Sequence, residues 1–397
     1  MILRPLSFLD CAVFGLLLVR QLLYQLGLNT TIISGIKVLV RICIPLPIQV
    51  VRERYLTPKS LRPQFVRQAT LFEYAMVRFI HRAFKALPTS VLRVALDAAV
   101  ARPFFKWRML SHGYDNDSVD SEEESYDEGG VQTEGIWIKH DRSKAPDVVV
   151  YYIHGGGFAL GSAAFYMEFF LALHSLLLEA GFKNPTVFGL EYSLAPDKAH
   201  PTQINEVILG YKKVIEYAKD ASKVCVAGDS AGGALTLSLL LHIAGQGKTG
   251  KASAVALPPP RLATVISPWV TLISTLHSSS SVDYLDRYML WKYAYAYAGA
   301  ELVHSAPASP GSADKKLWKA ACPERGYIVT YGGDEVLAGD VEAFIKLQTA
   351  GGAEVSTFVE EGGVHVWPVA AMHLSATNER RLAGIRSITR EIRKRYI

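Results

Sequence analysis

The apolar positions change rhythm three times along the chain. Phe8 to Leu28 is an almost continuous apolar run broken by Asp10, Arg20, Gln21 and Gln25; Thr31 to Val51 is a second, broken by Lys37, Arg41, Pro45 and Pro47. Both predict helices, yet neither is the clean stretch of about 20 apolar residues that a spanning helix needs. From Arg62 to Met109 apolar residues recur every three or four positions with basic residues between them. That predicts two helices separated by Pro88 and a third element, Asp97 to Arg108, broken at Pro103. Asp115 to Glu128 then holds eight carboxylates in fourteen residues and reads as a solvated loop or boundary.

Beyond this boundary short apolar runs alternate with helical segments: Val148–Ile153, Thr186–Glu191, Val224–Ala227, Leu262–Ile266, Tyr327–Thr330 and Val355–Val359. Continuous rather than alternating apolar strands predict a mostly parallel sheet covered by helices on both faces. Leu382, Ile385, Ile388 and Ile392, with Arg between them, predict a C-terminal amphipathic helix packed on that sheet, its basic face in solvent.

Half of the 397 residues are hydrophobic and a fifth are charged, which excludes a disordered chain. Four scattered cysteines without a C-x-x-C exclude a disulfide framework and argue against zinc. The net charge of +5 conceals an asymmetry: residues 1–110 carry 16 Lys/Arg against 4 Asp/Glu, and residues 111–378 carry 19 against 31. No nucleic-acid recognition motif accompanies the basic part, so nucleic acid is not an expected partner. Interleaved with apolar runs, that part suits a membrane surface instead.

Chemistry is concentrated after the strands. Gly228-Asp229-Ser230-Ala231-Gly232 is a G-x-S-x-G pattern between an apolar strand and a Leu/Ala-rich helix. A serine on such a turn projects its hydroxyl above the sheet, and small neighbours let the backbone fold sharply. His154-Gly155-Gly156-Gly157 follows another strand directly. Its glycines allow backbone amides to face a developing oxyanion. Gly156, Gly157 and Ala231 are the candidate donors, and His154 is read as a brace for that loop. A phosphate cradle is disfavoured because the lysine of a P-loop is missing.

A neutral serine needs a histidine, and the histidine needs a carboxylate that fixes its tautomer. His365 follows the run Val355–Val359 through a Glu-Gly-Gly loop and is the candidate base. The acid comes from Tyr331-Gly-Gly-Asp-Glu-Val-Leu337, with Glu335 preferred and Asp334 as the alternative.

Taken together, these residues resemble the hormone-sensitive-lipase family of α/β-hydrolases. The shared pieces are His154–Gly157, Glu191-Tyr-Ser-Leu-Ala-Pro196, Gly228–Gly232, Ser267-Pro-Trp269, Glu335-Val-Leu337 and His365, in the family's order over residues 135–375. The apolar, basic N-terminal segment together with Glu335 looks closest to the fungal steryl acetyl hydrolase group. The resemblance implies an α/β-hydrolase fold with Ser230 as nucleophile and His365 as base. Glu335 stands where the family has Asp, and Ser193 where it has Arg, which removes a structural ion pair. A helical lid is implied, built from N-terminal helices and an insertion at about 271–320 that carries Tyr284, Tyr288, Trp291, Tyr293, Tyr295 and Tyr297.

The expected organisation is therefore an N-terminal segment (1–55) serving as a possible membrane anchor, lid helices and an acidic loop (56–130), and a catalytic domain (131–397). The expected activity is a serine carboxylic-ester hydrolase, without cofactor or metal, acting on small acyl esters of a lipophilic alcohol such as a sterol or fungal metabolite. A tailoring enzyme on the same fold, performing acyl transfer, condensation or dehydration, is one alternative; a non-catalytic binding protein is another. Membrane association, at the endoplasmic reticulum, is the expected location, with the cytoplasm as the alternative. Asn29-Thr-Thr31 and Asn116-Asp-Ser118 are glycosylation sequons only in a secretory lumen.

Overall fold

The computed structural model describes residues 2–115, 121–246, 256–279 and 282–397, so the Asn116 sequon lies outside the described residues. Eight strands form one sheet: β1 (Ser121–Glu128), β2 (Val131–Lys139), β3 (Val148–Ile153), β4 (Pro185–Glu191), β5 (Val224–Asp229), β6 (Leu262–Ile266), β7 (Tyr327–Gly332) and β8 (Val355–Glu360). Their order is β1-β2-β4-β3-β5-β6-β7-β8. β2 runs antiparallel to β1 and β4, and the strands from β4 to β8 are parallel.

The side-chain period of two explains the continuous apolar runs. Val149, Tyr151 and Ile153 of β3 face one core, whereas Val148, Val150 and Tyr152 face another. The first core is closed by the helices Thr202–Ala218 and Ser230–Gln246, and the second by Met167–Glu179 and Asn378–Tyr396. Leu382, Ile385, Ile388 and Ile392 are all buried in that second core. The basic side of the C-terminal helix is not wholly in solvent, however: Arg381 and Arg395 are buried and ion-paired.

Two expectations are corrected. The described part of the acidic stretch from Ser121 on is a strand and not a loop: β1 pairs with β2 across the whole run from Ser121–Ile138 to Glu128–Val131. Gly129 and Gly130, both at positive φ, make the two-residue turn. Mutual repulsion is relieved by cations from neighbouring elements, since Lys139 reaches Glu122 and Glu124, Arg102 reaches Glu123, and Lys212 reaches Glu128. Pro103 does not break its element either. The helix Ala98–Ser111 continues through it, because one missing backbone bond is outweighed by the packing of Val100, Ala101 and Met109.

Register brings the loops of interest to one edge. Ile153 pairs with Gly228, Asp229 with Ile266, and Ile266 with Thr330. His154–Gly157, Ser230, Ser267 and the Gly332–Glu335 turn therefore leave the sheet side by side, at the carboxyl ends of parallel strands where open α/β sheets form their sites. Helices Leu71–Ala86, Thr89–Ala95 and Arg287–Leu302 lie over that edge. Residues Phe8–Leu56 form one helical stretch, kinked at Gly27, that is long and apolar enough to cross a membrane, its 18-residue apolar window reaching a mean hydropathy of 1.8.

Candidate active site

Ser230 sits at the junction of β5 and the helix Ser230–Gln246 with φ near +51°. A non-glycine residue in the left-handed region is strained, and the strain is held by its surroundings. Close approach makes this turn possible: a Cβ on Gly232 would lie 2.0 Å from the Ile153 carbonyl oxygen. Ala231, the next residue, is fully buried.

The glycine loop approaches the same turn. Gly156 has φ near +112°, and a Cβ there would lie 2.0 Å from the Leu160 carbonyl oxygen, so only glycine fits. The amides of Gly156 and Gly157 donate to no protein acceptor among the described residues, which leaves them available to a ligand oxygen. His154 braces the loop. Its ring stacks on Tyr192 at 4.3 Å and its Nδ1 lies 2.7 Å from the Gly155 carbonyl. Burial pushes its pKa down to about 4, so the ring is neutral.

His365 is 2% exposed, with Nδ1 3.5 Å from Oε1 of Glu335. That is ion-pair spacing; a formed hydrogen bond is about 2.7–3.2 Å, and catalytic contacts often tighten only with substrate present. The other ring nitrogen, Nε2, is buried without a protein hydrogen bond. Glu335 is held on its far side: Oε2 accepts from Ser267 Oγ at 2.6 Å and from the Gly332 amide at 2.9 Å. Asp334 is half-buried, and its amide donates to the Gly363 carbonyl. Of the adjacent pair, Glu335 is the carboxylate brought to His365.

Burial alone would push the His365 pKa down, but the carboxylates of Glu335, Asp283 and Asp229 outweigh it and hold the pKa above the ordinary histidine value. Two of these three went unread in the sequence. Asp229, within G-x-S-x-G, is buried and accepts from Tyr152, Tyr166 and the Gly155 amide, tying the nucleophile turn to the glycine loop. Burial raises its pKa to about 6. Asp283, in the 271–320 insertion, accepts from the amides of Val336 at 2.9 Å and His365 at 3.2 Å. A carboxylate one residue before the serine was a visible signal for the first. Asp283 carried none, because its role comes from two loops distant in sequence.

The insertion supplies an aromatic wall. Tyr293 and Tyr297 face inward from one helix, while Tyr288 and Tyr295 are exposed. Tyr297 stacks on Phe158 at 3.8 Å, and a Cβ on Gly157 would lie 2.8 Å from the Tyr293 ring. Around Ser193 the polar contacts are of another kind. Arg93 of the overlying helix binds Asp197 and donates to the carbonyls of Ala159 and Ala195, while Ser193 donates to Glu206.

Comparison with known proteins bears on the fold and the class of chemistry. The sequence profile of a family described by the alpha/beta hydrolase fold matches residues 150–369. An acetyl-hydrolase of Streptomyces hygroscopicus is 28% identical over 237 residues, covering 58% of this chain and 71% of that protein. Neutral cholesterol ester hydrolase 1 of Pongo abelii is 37% identical over 98 residues, a stretch that is 23% of this chain and 22% of that protein. Among solved structures, a hormone-sensitive lipase from a metagenome library superposes with TM-score 0.54 at 25% identity, covering 69% of this chain and 86% of that one. The chain belongs to the α/β-hydrolase fold family and is similar to solved structures of the hormone-sensitive-lipase type. It is a serine carboxylic-ester hydrolase.

Proposed function

We propose that Ser230, His365 and Glu335 form the catalytic triad and that Gly156, Gly157 and Ala231 donate to the oxyanion. The observation that carries this reading is the buried His365, with Nδ1 beside Glu335 and Nε2 unengaged, at the sheet edge where the strained Ser230 emerges. His365 Nε2 takes the Ser230 proton as Oγ attacks the ester carbonyl. The tetrahedral oxyanion rests on the three amides, each worth about 3–4 kcal/mol of transition-state stabilisation. The alcohol leaves with the proton from His365, and water activated by the same ring releases the acid.

The substrate class we propose is a small acyl ester of a lipophilic alcohol such as a sterol or a fungal metabolite. Three aromatic side chains, Phe158, Tyr293 and Tyr297, crowd the oxyanion loop and support a short acyl group. The names of the acetyl-hydrolase and cholesterol ester hydrolase relatives point the same way. The reading includes a lid formed by the overlying helices and association with a membrane, that of the endoplasmic reticulum being the one expected.

Labelling with a fluorophosphonate and turnover of p-nitrophenyl esters from acetate to palmitate test it, wild type against Ser230→Ala. Labelling and turnover should vanish in the variant, and acetate should be favoured over palmitate. Turnover of palmitate without acetate would overturn the substrate class. No labelling of folded wild-type protein would overturn the triad.

A further inference from the structure

The N-terminal segment is apolar enough to cross a bilayer, but it is fastened to the catalytic domain along its length. At one end Leu3 is buried in the sheet's second core. Asp10 accepts from Trp107 at 3.0 Å and pairs with the buried Arg108 at 3.0 Å. Arg108 in turn shares Glu168 with Arg381 of the C-terminal helix. In the middle, Leu22 packs with Val91, Val94 and Val100. At the other end Ile42 is fully buried in the first core, Gln49 binds Arg82, and Glu53 binds Tyr74 and Arg78. A helix that left the domain to cross a bilayer would break all of these.

The outer face of the same segment is different. Leu16, Leu23, Ile32, Ile36, Ile44 and Ile48 are 41–73% exposed. Of the two acids of residues 8–56, Asp10 pairs with the buried Arg108, and Glu53 is shared between Arg78 and the exposed Arg52. The remaining charges beside the apolar outer face are cationic, with Arg20 and Arg41 exposed and Lys37 half-buried. An apolar face edged mainly by cations matches a leaflet whose headgroups are anionic and whose interior is hydrocarbon. A second copy of this chain would bring like charges together.

We propose that residues 8–56 form an in-plane docking surface that seats the catalytic domain on an anionic lipid leaflet without crossing it. This deepens the membrane association proposed above and does not depend on the ester chemistry. The surface packs on Thr89–Ala95, whose Arg93 holds the carbonyl of Ala159 beside the glycine loop. An ester partitioned into that leaflet would therefore meet the helices over the site first.

The test uses the full chain. Purified protein is added to preformed vesicles of phosphatidylcholine, with and without phosphatidylserine, and floated on a density gradient. Epitopes at both termini are digested with protease on sealed microsomes. Flotation should require phosphatidylserine at moderate salt, and both epitopes should lie on one side. Leu23→Glu, Ile36→Glu and Ile48→Glu lie on the exposed face. Each should weaken vesicle binding about tenfold while turnover of p-nitrophenyl acetate persists. Absence of turnover in wild-type protein that still floats with the vesicles would overturn the proposed triad and leave this proposal standing. Epitopes on opposite sides would overturn the proposal in favour of a spanning helix. No flotation, with a dimer in light scattering that the Glu variants dissolve, would overturn it in favour of a second copy.

Discussion

Ser267 Oγ donates to Glu335 Oε2 at 2.6 Å and accepts the amide of Val366 at 2.9 Å. One hydroxyl thus holds the acid and the residue after the histidine, from a backbone position with φ near +45°. Ser267→Ala leaves a buried carboxylate oxygen and a buried amide each short of a partner, at a cost of about 1–3 kcal/mol in stability. We expect kcat/KM for p-nitrophenyl acetate to fall about tenfold or more, mostly in kcat, because misplacement of the base affects the transition state. Steady-state kinetics on folded variant checks it; unchanged kcat would remove Ser267 from the positioning of the triad.

The pH profile reports the field around His365. The base works only when neutral, so kcat/KM should rise with pH through a midpoint above the ordinary histidine value of about 6.5. Glu335→Gln removes the nearest favourable carboxylate, so the midpoint should move to lower pH while the plateau falls about a hundredfold or more. A midpoint that stays put would argue that Glu335 does not act on His365. The stability effect has the opposite sense. Because the folded pKa is raised, the pairing is fully stabilising below the unfolded value and is lost as pH rises through the folded one.

Asp283 bridges the acid loop and the histidine loop through the amides of Val336 and His365. An asparagine offers one acceptor where the carboxylate offers two, so Asp283→Asn should destabilise the protein by about 1–3 kcal/mol. Burial raises the aspartate to about 6. Its protonated form therefore contributes fully below the unfolded value of about 3.9, and that contribution is lost as pH rises through 6. Chemical denaturation at several pH values should show the wild-type advantage narrowing over that window; a constant gap would contradict the raised pKa.

Gly156→Ala should be among the most damaging small changes. The added Cβ would meet the Leu160 carbonyl oxygen at 2.0 Å in a backbone conformation that disfavours alanine. Moving this amide away from the oxyanion should reduce kcat about a hundredfold or more. A protein that folds and turns over normally would show that Gly156 donates nothing.

Asp10→Asn tests the fastening of the N-terminal segment. Arg108 keeps Glu168 but loses its second carboxylate in a site nearly closed to solvent. We expect a loss of about 2–4 kcal/mol in denaturant unfolding, near the cost of breaking a buried pair. A change below about 0.5 kcal/mol, as for exposed pairs, would mean that the contact is not made in solution.

Much of the site was legible because its chemistry is local. Gly228–Gly232 and His154–Gly157 each carry their glycine requirement within five residues, and the six parallel strands read as short, mostly apolar runs between helical segments. β1 carries no such pattern, for a physical reason. An edge strand of carboxylates has no apolar signature, and its cations lie in Lys139, Arg102 and Lys212, on other elements. Tyr293 and Tyr297, one helical turn apart, share the buried face, while Tyr295 between them points outward.

Sequence alone therefore determined the strand–turn–helix units, the candidate serine, acid and histidine in chain order, and the class of chemistry, since each depends on residue type at short spacing. Only the tertiary structure brings Glu335 rather than Asp334 beside His365, because adjacent side chains on a turn point in different directions. It also revealed Ser267, Asp229 and Asp283 as the groups around the triad, and it showed an apolar N-terminal segment bound to its own domain. Those outcomes depend on contacts between residues tens to hundreds of positions apart, and short-range pattern does not encode them.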